Sequence, residues 1–328
     1  MSERLRDHLD DLGALVARAA DHLGLPTSYV EKDFWVTEVL RTSATNREVA
    51  MPDGSKAPVS FCFKGGTSLS RVFGIVERFS EDVDLLAVFP DGARAGARHK
   101  VLKQVDADVT SHLGLTKTEV SVGASTTGVK RYTTYHYPVA EHDTGLREGV
   151  LLELGSRGGT HPAGQHQYRS LVAEFAITEL HEPPDTWAEF AAFEVNVLAP
   201  ERTLLEKISA VHDAAVRGDT AALARHGRHF YDIDRILNTP TVTAALDELG
   251  AVGVADLTAD IDEHSAEAGF TWSPRPDGGY ADSPAFDPRA PVHAMIRAGF
   301  EAAQHLIHGT PITLDDVIAT VQANRHRL

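Results

Sequence analysis

The chain has 328 residues, which is enough for one large or two ordinary domains with a proper core. Its net charge of −16 argues against a protein that coats nucleic acid non-specifically, but it permits an enzyme with one local basic cleft. The single Cys62 excludes an internal disulfide and a cysteine-based zinc site. No apolar run approaches a membrane span and no signal-type segment opens the chain, so we predict a cytoplasmic protein without membrane contact.

Two N-terminal helices are predicted before the core. Apolar residues recur at helical spacing over Leu5–Leu23, and Pro26 ends that pattern. Ser28 and Glu31 then have the spacing of a capping box, which predicts the start of the second helix. This helix carries the charged triplet Glu31–Asp33. The triplet either reaches an active cleft or, as the more common outcome, forms an ordinary solvated helix end.

The stretch Phe61–Ser70 has the pattern of a strand that runs into a glycine turn and then into a helix. Gly65 and Gly66 allow a tight turn and leave room for a group to approach the backbone. Thr67 and Ser68 are predicted to cap the helix, whose free N–H groups and positive dipole end suit a phosphate. The stretch therefore predicts a phosphate-binding turn.

A second strand, predicted to begin at Ser80, opens with two carboxylates. Asp82 and Asp84 lie two residues apart, so both side chains leave the same face of the strand, which Ser80 shares. Val83 and Leu85 point the other way, toward a core. Co-facial carboxylates beside a phosphate-binding turn are what metal-dependent phosphoryl or nucleotidyl transfer requires, because they hold the divalent cations that clamp a nucleotide.

Each fragment alone has an ordinary interpretation as a turn, a helix cap and solvated acids at a strand end. Their order along the chain, with an apolar run after the second aspartate, favours the functional interpretation. A calcium-binding EF loop is excluded, because Leu86 and Ala87 stand where that loop needs an oxygen ligand and a glycine.

A basic helix and further strands are predicted to complete the core. The helix predicted over 91–113 carries four basic residues: Arg94, Arg98, Lys100 and Lys103. They either contact an anionic substrate or, more commonly, form a solvated face. Strands are predicted at 115–122 and 129–139, and Lys130 and Arg131 on the second are candidates to face nucleic acid.

One carboxylate, Glu153, lies in the apolar strand predicted over 150–154. By itself it is either an edge residue or a paired buried acid. Residues 155–168, rich in Gly, His and Gln, are predicted to form a loop. A short strand over 193–198 then leads into a helix that begins with Pro200, a favoured first-turn position for proline.

Two positions in the second half combine charge with helical spacing. Lys207 has small helical neighbours that leave its ammonium accessible to nucleotide phosphates; the alternative is a lysine that snorkels to solvent. Arg202 is a second candidate for holding phosphate. Asp232 is spaced from Arg228 and Arg235 as in an ordinary surface ion-pair series.

The rest of the chain is predicted to be helical, over 241–250, 254–268, 290–307 and 313–326. The interrupting loop 269–288 has the aromatic and basic composition needed to stack bases, although a packed surface loop is more common. His226 and His229 form a tight histidine pair, and their spacing alone disfavours a structural metal site.

The pattern Lys64–Leu69 followed by Arg78–Leu85 resembles the first motif of the AbiEii/AbiGii nucleotidyltransferase toxins. These are the toxic halves of bacterial abortive-infection and toxin–antitoxin pairs. The resemblance runs, with gaps, from Glu31 to Leu237. It implies an α+β fold with a polymerase-β-like nucleotidyltransferase core, in which helices flank a mixed β-sheet, and a mainly helical C-terminal part.

The resemblance also implies a division of the chain. N-terminal helices over 1–57 would pack on a catalytic core over 58–198, and a helical domain over 199–328 would contribute Lys207 and Asp232 to the cleft.

The same resemblance implies roles for the candidate site residues. Mg²⁺ or Mn²⁺ would be held by three carboxylates: Asp82, Asp84 and Glu153. Lys207 would act with them in catalysis, and Asp232 would either orient Lys207 or accept a proton from the attacking hydroxyl. The predicted nucleotide-binding residues are Lys64, Gly65, Gly66, Thr67, Ser68, Ser80 and Arg202.

We therefore expect a toxin that transfers a nucleotide from an NTP to an acceptor, with an antitoxin as partner and a role in phage defence. The resemblance implies the 3′ end of tRNA as acceptor, which would block translation. The acidic net charge fits tRNA only if Lys64, Arg78 and residues 94–103 form a basic surface. Two alternatives stay open: a protein or small-molecule acceptor, and an inactive module that binds a nucleotide or a partner.

Overall fold

A computed structural model describes residues 2–138 and 146–328. Met1 and Val139, the end of the strand predicted over 129–139, lie outside the described residues. The chain divides into two compact units. Unit 1 comprises residues 1–67, 81–156 and 163–197, and unit 2 comprises residues 68–80, 157–162 and 198–328. The predicted division at 57 and 198 stays a prediction.

Unit 1 is built on a mixed sheet of eight strands. They are β1 (Arg47–Ala50), β2 (Lys56–Lys64), β3 (Asp82–Val88), β4 (Val120–Thr126), β5 (Lys130–Tyr135), β6 (Val150–Gly155), β7 (Ala163–Tyr168) and β8 (Phe193–Leu198). Their order is β4-β5-β6-β3-β2-β8-β7, and β1 pairs with β2 outside that path. β3 is parallel to β6 and antiparallel to β2.

The helices of unit 1 are α1 (Leu9–Leu23), α2 (Thr27–Ser43), α4 (Ala95–His112) and α5 (Leu171–Thr178). Helix α3 (Gly65–Arg71) begins in unit 1 and ends in unit 2. Short 3-10 helices in unit 1 cover Leu5–Asp7, Lys117–Glu119 and Ala188–Phe190. α2 packs on β3 and β6, and α4 packs on β1 and β5, which gives the sheet its core.

One buried carboxylate fastens α4 to the sheet. Asp106 accepts hydrogen bonds from Thr133 Oγ1 at 3.0 Å and Tyr135 Oη at 3.1 Å, and it also pairs with Arg131. Thr133 is the register partner of Leu152 on β6, so this row of the sheet lies on the face that α4 covers. Arg131 is therefore a structural cation, and the prediction that it faces nucleic acid is wrong.

The N-terminal helices differ from the prediction in how α2 begins. Pro26 occupies the position before the first helical residue and no side chain caps the helix, so the predicted capping box of Ser28 and Glu31 is wrong. The charged triplet Glu31–Asp33 is only 7%, 1% and 5% exposed, and therefore is not a solvated helix end. Asp33 instead accepts a hydrogen bond from the Leu171 N–H at 2.6 Å and so supports the start of α5.

Two other local predictions are corrected by the structure. Residues 155–168 were expected to form a loop, but they include the strand β7. β3 begins at Asp82, so Ser80 precedes the strand and does not share its side-chain alternation.

Unit 2 is helical. Its α-helices are α6 (Pro200–Arg217), α7 (Thr220–Arg225), α8 (Gly227–Leu237), α9 (Pro240–Ala268), α10 (His293–Ala302) and α11 (Leu314–Ala323). Its short 3-10 helices cover Tyr280–Asp282, Pro284–Phe286, Gln304–Leu306 and Arg325–Arg327. α9 is kinked at Gly250, which has φ 63°, in agreement with the two helices predicted on either side.

The core of unit 2 joins the apolar stripes of α6 and α8 to later elements, including Tyr280 and Phe286 of the predicted loop 269–288. Arg275 of that loop donates to the Leu328 carbonyl oxygen at 2.7 Å. The loop is thus packed, as its more common interpretation predicted. The predicted α+β class, a mixed sheet flanked by helices with a helical C-terminal part, is confirmed.

No helix within residues 2–138 and 146–328 has the length and the apolar character needed to cross a membrane.

Candidate active site

The two aspartates of β3 leave the same side of the sheet, as predicted. Asp82 is 7% exposed and Asp84 is partly exposed, while Val83 and Leu85 between and after them are 0% and 2% exposed. Strand alternation explains this pattern, because one side of β3 faces the apolar core and the other carries the carboxylates.

A row of polar residues crosses four neighbouring strands at Asp84. In register, Lys64 of β2 is the partner of Asp84, Asp84 is the partner of Glu153 on β6, and Glu153 is the partner of Tyr132 on β5. Register partners project from the same face of a sheet, so these four side chains share the face opposite α4. We call Lys64, Asp84, Glu153 and Tyr132 the polar row. The predicted proximity of Glu153 to the aspartate strand is confirmed.

Tyr132 is a member of this row that the sequence did not single out. Burial and the negative charges of Glu153 and Asp84 raise the pKa of Tyr132, whose hydroxyl hydrogen-bonds the Glu153 carboxylate. The Lys130 ammonium lies 5.4 Å from the centre of the Tyr132 ring. The alternating aromatic pattern of β5 was the only sequence signal for it.

Gly65 lies directly against Asp84. Its φ is 83°, and a Cβ built there would be 2.9 Å from Asp84 Cγ and would overlap the carboxylate oxygen. A glycine is thus required twice, for backbone conformation and for space. Gly66 follows it as a buried residue of α3.

The predicted caps of α3 are wrong. The helix begins at Gly65, so Thr67 and Ser68 lie inside it and both are buried. Thr67 Oγ1 instead donates a hydrogen bond to the Asp82 carbonyl oxygen at 2.6 Å. This bond ties the glycine turn to the first residue of β3 and so sets the position of the acidic strand.

A second group of charges surrounds Asp82 in unit 1. Arg147 Nη1 donates to Asp82 Oδ1 at 3.0 Å, and the Arg147 backbone N–H donates to Glu81 Oε2 at 2.6 Å. Lys32 Nζ lies 3.4 Å from Glu81 Oε2. Burial lowers the pKa of Lys32, and the charge of Glu81 opposes that shift. The sequence did not predict Arg147, and of its two interpretations for the triplet that contains Lys32, the solvated helix end is wrong.

In unit 2, Asp232 is fully buried between two cations. Arg78 Nε and Nη2 donate to its two oxygens at 2.6 and 2.7 Å, and Lys207 Nζ lies 2.9 Å from Oδ2. Arg78 is 2% exposed, so it cannot belong to the expected basic surface. The interpretation of Asp232 as part of a surface ion-pair series is wrong, and the Lys207 side chain is largely buried, with 9% of its surface exposed.

The charges of this cluster set its protonation. Burial alone would raise the pKa of Asp232, but the positive charges of Arg78 and Lys207 outweigh it and lower that pKa well below its usual range. Burial lowers the pKa of Lys207; Asp232 opposes the shift, while the charges of Arg78 and Arg228 add to it. Asp232 is therefore an ionised partner for two cations, and it is a weak proton acceptor.

Arg202 has its own partners in unit 2. Its guanidinium donates to the His161 carbonyl oxygen at 2.6 Å, lies 2.6 Å from Asp260 Oδ2, and is 1% exposed as a residue. A Cβ at Gly159 would overlap the guanidinium, so the chain there is built around it. These contacts give Arg202 a structural role, and its predicted contact with a nucleotide stays a prediction.

His226 and His229 stack on each other with ring centres 4.7 Å apart. Burial lowers the pKa of both, and the positive charge of Lys207 adds to this for His229. The pair is a neutral packing element beside Lys207.

The basic side chains of α4, and Arg94 directly before it, differ in exposure. Arg94, Lys100 and Lys103 are exposed, whereas Arg98 is partly buried. Since α4 is fastened to the sheet through Asp106, these cations are carried on a rigid element.

The carboxylate oxygens are suitable ligands for a divalent cation, because Mg²⁺ and Mn²⁺ prefer hard oxygen ligands. Because Gly65 has no Cβ, the Asp84 carboxylate lies directly against the backbone of the glycine turn. Across the two described stretches of the chain, however, no three His, Cys, Asp or Glu side chains are grouped closely enough to hold a metal ion as they stand. Asp82 and Asp84 have the oxygen donors that such a cation needs, and Glu153 lies on the neighbouring strand in register with Asp84.

A mixed sheet with two co-facial aspartates after a glycine turn, and a third acid on the neighbouring strand, defines a nucleotidyltransferase-like core. The family model of the nucleotidyl transferase AbiEii toxin, of type IV toxin–antitoxin systems, matches residues 55–295. The chain therefore belongs to the AbiEii nucleotidyltransferase toxin family, and the predicted resemblance is confirmed. A search of curated proteins found no match. Membership in a toxin–antitoxin family implies a cognate antitoxin.

Proposed function

We propose that this toxin is a Mg²⁺- or Mn²⁺-dependent nucleotidyltransferase that adds a nucleotide from an NTP to the 3′ end of tRNA and thereby blocks translation. Its place of action is the bacterial cytoplasm, where these substrates are found, and the outcome serves phage defence. The observation that supports the proposal most directly is that Asp84 and Glu153 are register partners. Asp82 lies two residues before Asp84 on the same face of β3.

The reaction is an in-line substitution at the α-phosphorus. The oxygen of the acceptor hydroxyl forms a new bond to the α-phosphorus, and the bond to the α,β-bridging oxygen breaks. Pyrophosphate leaves with the electron pair, and the hydroxyl proton passes to solvent. Divalent cations, when bound, supply the positive charge that stabilises the attacking and leaving oxygens.

The residues of unit 1 bind and orient in this scheme. Asp82, Asp84 and Glu153 provide the carboxylate oxygens, and Tyr132 restrains Glu153 by hydrogen bonding to it. Lys64, the register partner of Asp84, balances the acidic row and meets a triphosphate oxygen. Gly65 leaves the backbone open to the nucleotide.

A further cation proposed for catalysis is Lys207. In this proposal its ammonium neutralises the leaving pyrophosphate, and Asp232 is a positioning residue that holds it through the 2.9 Å contact. Of the two roles expected for Asp232, the orienting one is favoured, because a carboxylate with a strongly lowered pKa accepts a proton poorly.

The exposed cations of α4 lie on the sheet face opposite the polar row, so in this proposal they contact acceptor phosphates away from the reacting 3′ end. Lys100 and Lys103 of α4, together with Arg94 directly before it, replace the surface expected to include Arg78, which is buried. A few rigidly held cations are enough to contact phosphates in a protein whose overall charge is −16.

The test is a transfer assay with purified protein, Mg²⁺, each labelled NTP in turn and total bacterial RNA, beside an Asp82→Ala/Asp84→Ala control. Label in a tRNA-sized band only with the intact protein supports the proposal and identifies the nucleotide. Label on protein bands of a lysate, or on small molecules, would replace the acceptor but keep the chemistry. Nucleotide binding with no label in any fraction would contradict the transferase and favour a binding module.

A further inference from the structure

Arg147 forms an ion pair with Asp82, one of the carboxylates on which the proposed chemistry depends. Its Nη1 lies 3.0 Å from Asp82 Oδ1, and its side chain is 52% exposed while that of Asp82 is only 10% exposed. The acid is therefore fixed and nearly buried, whereas the guanidinium approaches it from the solvent side. A single ion pair made by an arginine this exposed is weak enough to break when another partner competes for it.

The backbone of Arg147 is held from both directions. Its N–H donates to Glu81 Oε2 at 2.6 Å, and its carbonyl oxygen accepts from Lys32 Nζ at 2.5 Å. Lys32 is 1% exposed and also donates to the Gly149 carbonyl oxygen. Burying an ammonium is costly unless its hydrogen bonds are satisfied, so this arrangement is a specific anchor for the base of Arg147. The side chain pivots on a fixed point.

A guanidinium on Asp82 and a divalent cation on Asp82 exclude each other. Both are positive and both need the same carboxylate, so binding one raises the free energy of the other. An arginine released beside a bound nucleotide has a planar fork suited to phosphate oxygens.

From this geometry we infer that Arg147 is an exchangeable partner of Asp82, which balances its charge before the substrate binds and then moves to the triphosphate. The inference deepens the proposed function and rests on it. Arg147 is a substrate-binding residue of the NTP, and the contact with Asp82 is the state from which it is released. Lys32 and Glu81 keep its pivot within reach in both states.

The inference is tested by two binding measurements on the full-length protein, neither of which needs turnover. Mn²⁺ binding without nucleotide is followed by electron paramagnetic resonance, and binding of the α,β-methylene analogues of the four NTPs at saturating Mn²⁺ is followed by calorimetry. The variants are Arg147→Gln, which removes the charge, and Arg147→Lys, which keeps it without the fork. Arg289→Gln is the control, since Arg289 also pairs with an aspartate, lies in unit 2 and is 91% exposed as a side chain.

We expect Arg147→Gln to bind Mn²⁺ roughly 3- to 10-fold more tightly than the parent, because a competing charge has gone. The same variant should bind the analogue roughly 10-fold more weakly, since a charge-assisted phosphate contact has gone. Arg147→Lys should fall between the two, and Arg289→Gln should match the parent.

A merely structural role of Arg147 would not raise the affinity for Mn²⁺ and lower the affinity for the NTP analogue in the same variant. Equal or weaker Mn²⁺ binding by Arg147→Gln, or unchanged analogue binding, would overturn the inference. The proposed function would still stand if the parent protein binds Mn²⁺ and transfers label. Absence of Mn²⁺ binding in every variant together with absence of transfer would overturn both.

Discussion

Asp84 of β3 and Glu153 of β6 are direct register partners on adjacent parallel strands, although they are 69 residues apart in the sequence. Their side chains leave the same face, and Asp82 leaves that face two residues earlier. The three acids therefore belong to one surface whose position is fixed by backbone hydrogen bonds of the sheet. Changes that shift this surface should affect activity more than stability.

Gly65→Ala tests the contact between the glycine turn and Asp84. A new Cβ would overlap the carboxylate and force Asp84 to move, so we expect transfer to fall about 10- to 100-fold. The matched control is Gly54→Ala, which has a similar φ of 88° and nothing within 4 Å of the added Cβ. Both variants should lose about 1 kcal/mol of stability to backbone strain. Equal activity losses in the two would show that strain, rather than Asp84, is responsible.

The alkaline side of the activity profile should report Lys207. Its pKa is lowered by burial and by the charges of Arg78 and Arg228, so the cation is lost at a lower pH than the value of about 10.4 for an ordinary lysine. Arg228→Gln removes one of the lowering charges and should move the alkaline fall in kcat/KM to higher pH. Arg225→Gln is the control, because Arg225 acts on His226. A shift to lower pH, or equal shifts in both, would contradict the assignment.

The RNA surface of α4 is tested by charge reversal. Lys100→Glu/Lys103→Glu should weaken tRNA binding about 10-fold or more and reduce its dependence on salt concentration, because two phosphate contacts are lost. Lys56→Glu/Lys117→Glu makes the same change in net charge at two other exposed positions. Filter binding at several salt concentrations separates the local effect from the global one. Equal weakening by both double variants would mean that only net charge matters.

Stability should depend strongly on the carboxylate that fastens α4. Asp106→Ala leaves the Thr133 and Tyr135 hydroxyls and the Arg131 guanidinium without their acceptor, so we expect a loss of about 3 kcal/mol in the free energy of unfolding. Asp108→Ala, on the same helix, removes a partly exposed pair with Arg47 and should cost less than about 1 kcal/mol. Urea unfolding followed by circular dichroism measures both. Similar costs would show that Asp106 is not the anchor.

The acidic strand was predictable because its evidence is local. The alternation of Asp82 and Asp84 with Val83 and Leu85 depends only on the two-residue period of a strand. The place of Glu153 was predicted because it lies in an apolar strand that could pair with the strand of Asp82 and Asp84. These predictions concern neighbours along the chain or along one sheet, where the physical rule is simple.

The partners of the buried charges were not predictable in the same way. Arg78 and Asp232 are 154 residues apart, and nothing in either local pattern indicates the other. Charged residues are usually exposed, so the burial of Lys32 and Arg78 opposes the ordinary expectation. Arg147 belongs to no periodic segment, and only the folded backbone brings it to Asp82.

Nucleotidyl transfer that depends on Asp82 and Asp84 is tested most directly by the position of a label in the NTP. Parallel reactions would contain the same NTP labelled at the α- or the γ-phosphorus, with intact protein and with Asp84→Asn. We predict that the acceptor takes up the α-label, that the γ-label is released as pyrophosphate, and that Asp84→Asn transfers neither. Incorporation of the γ-label, or α-label transfer undiminished by Asp84→Asn, would contradict the account.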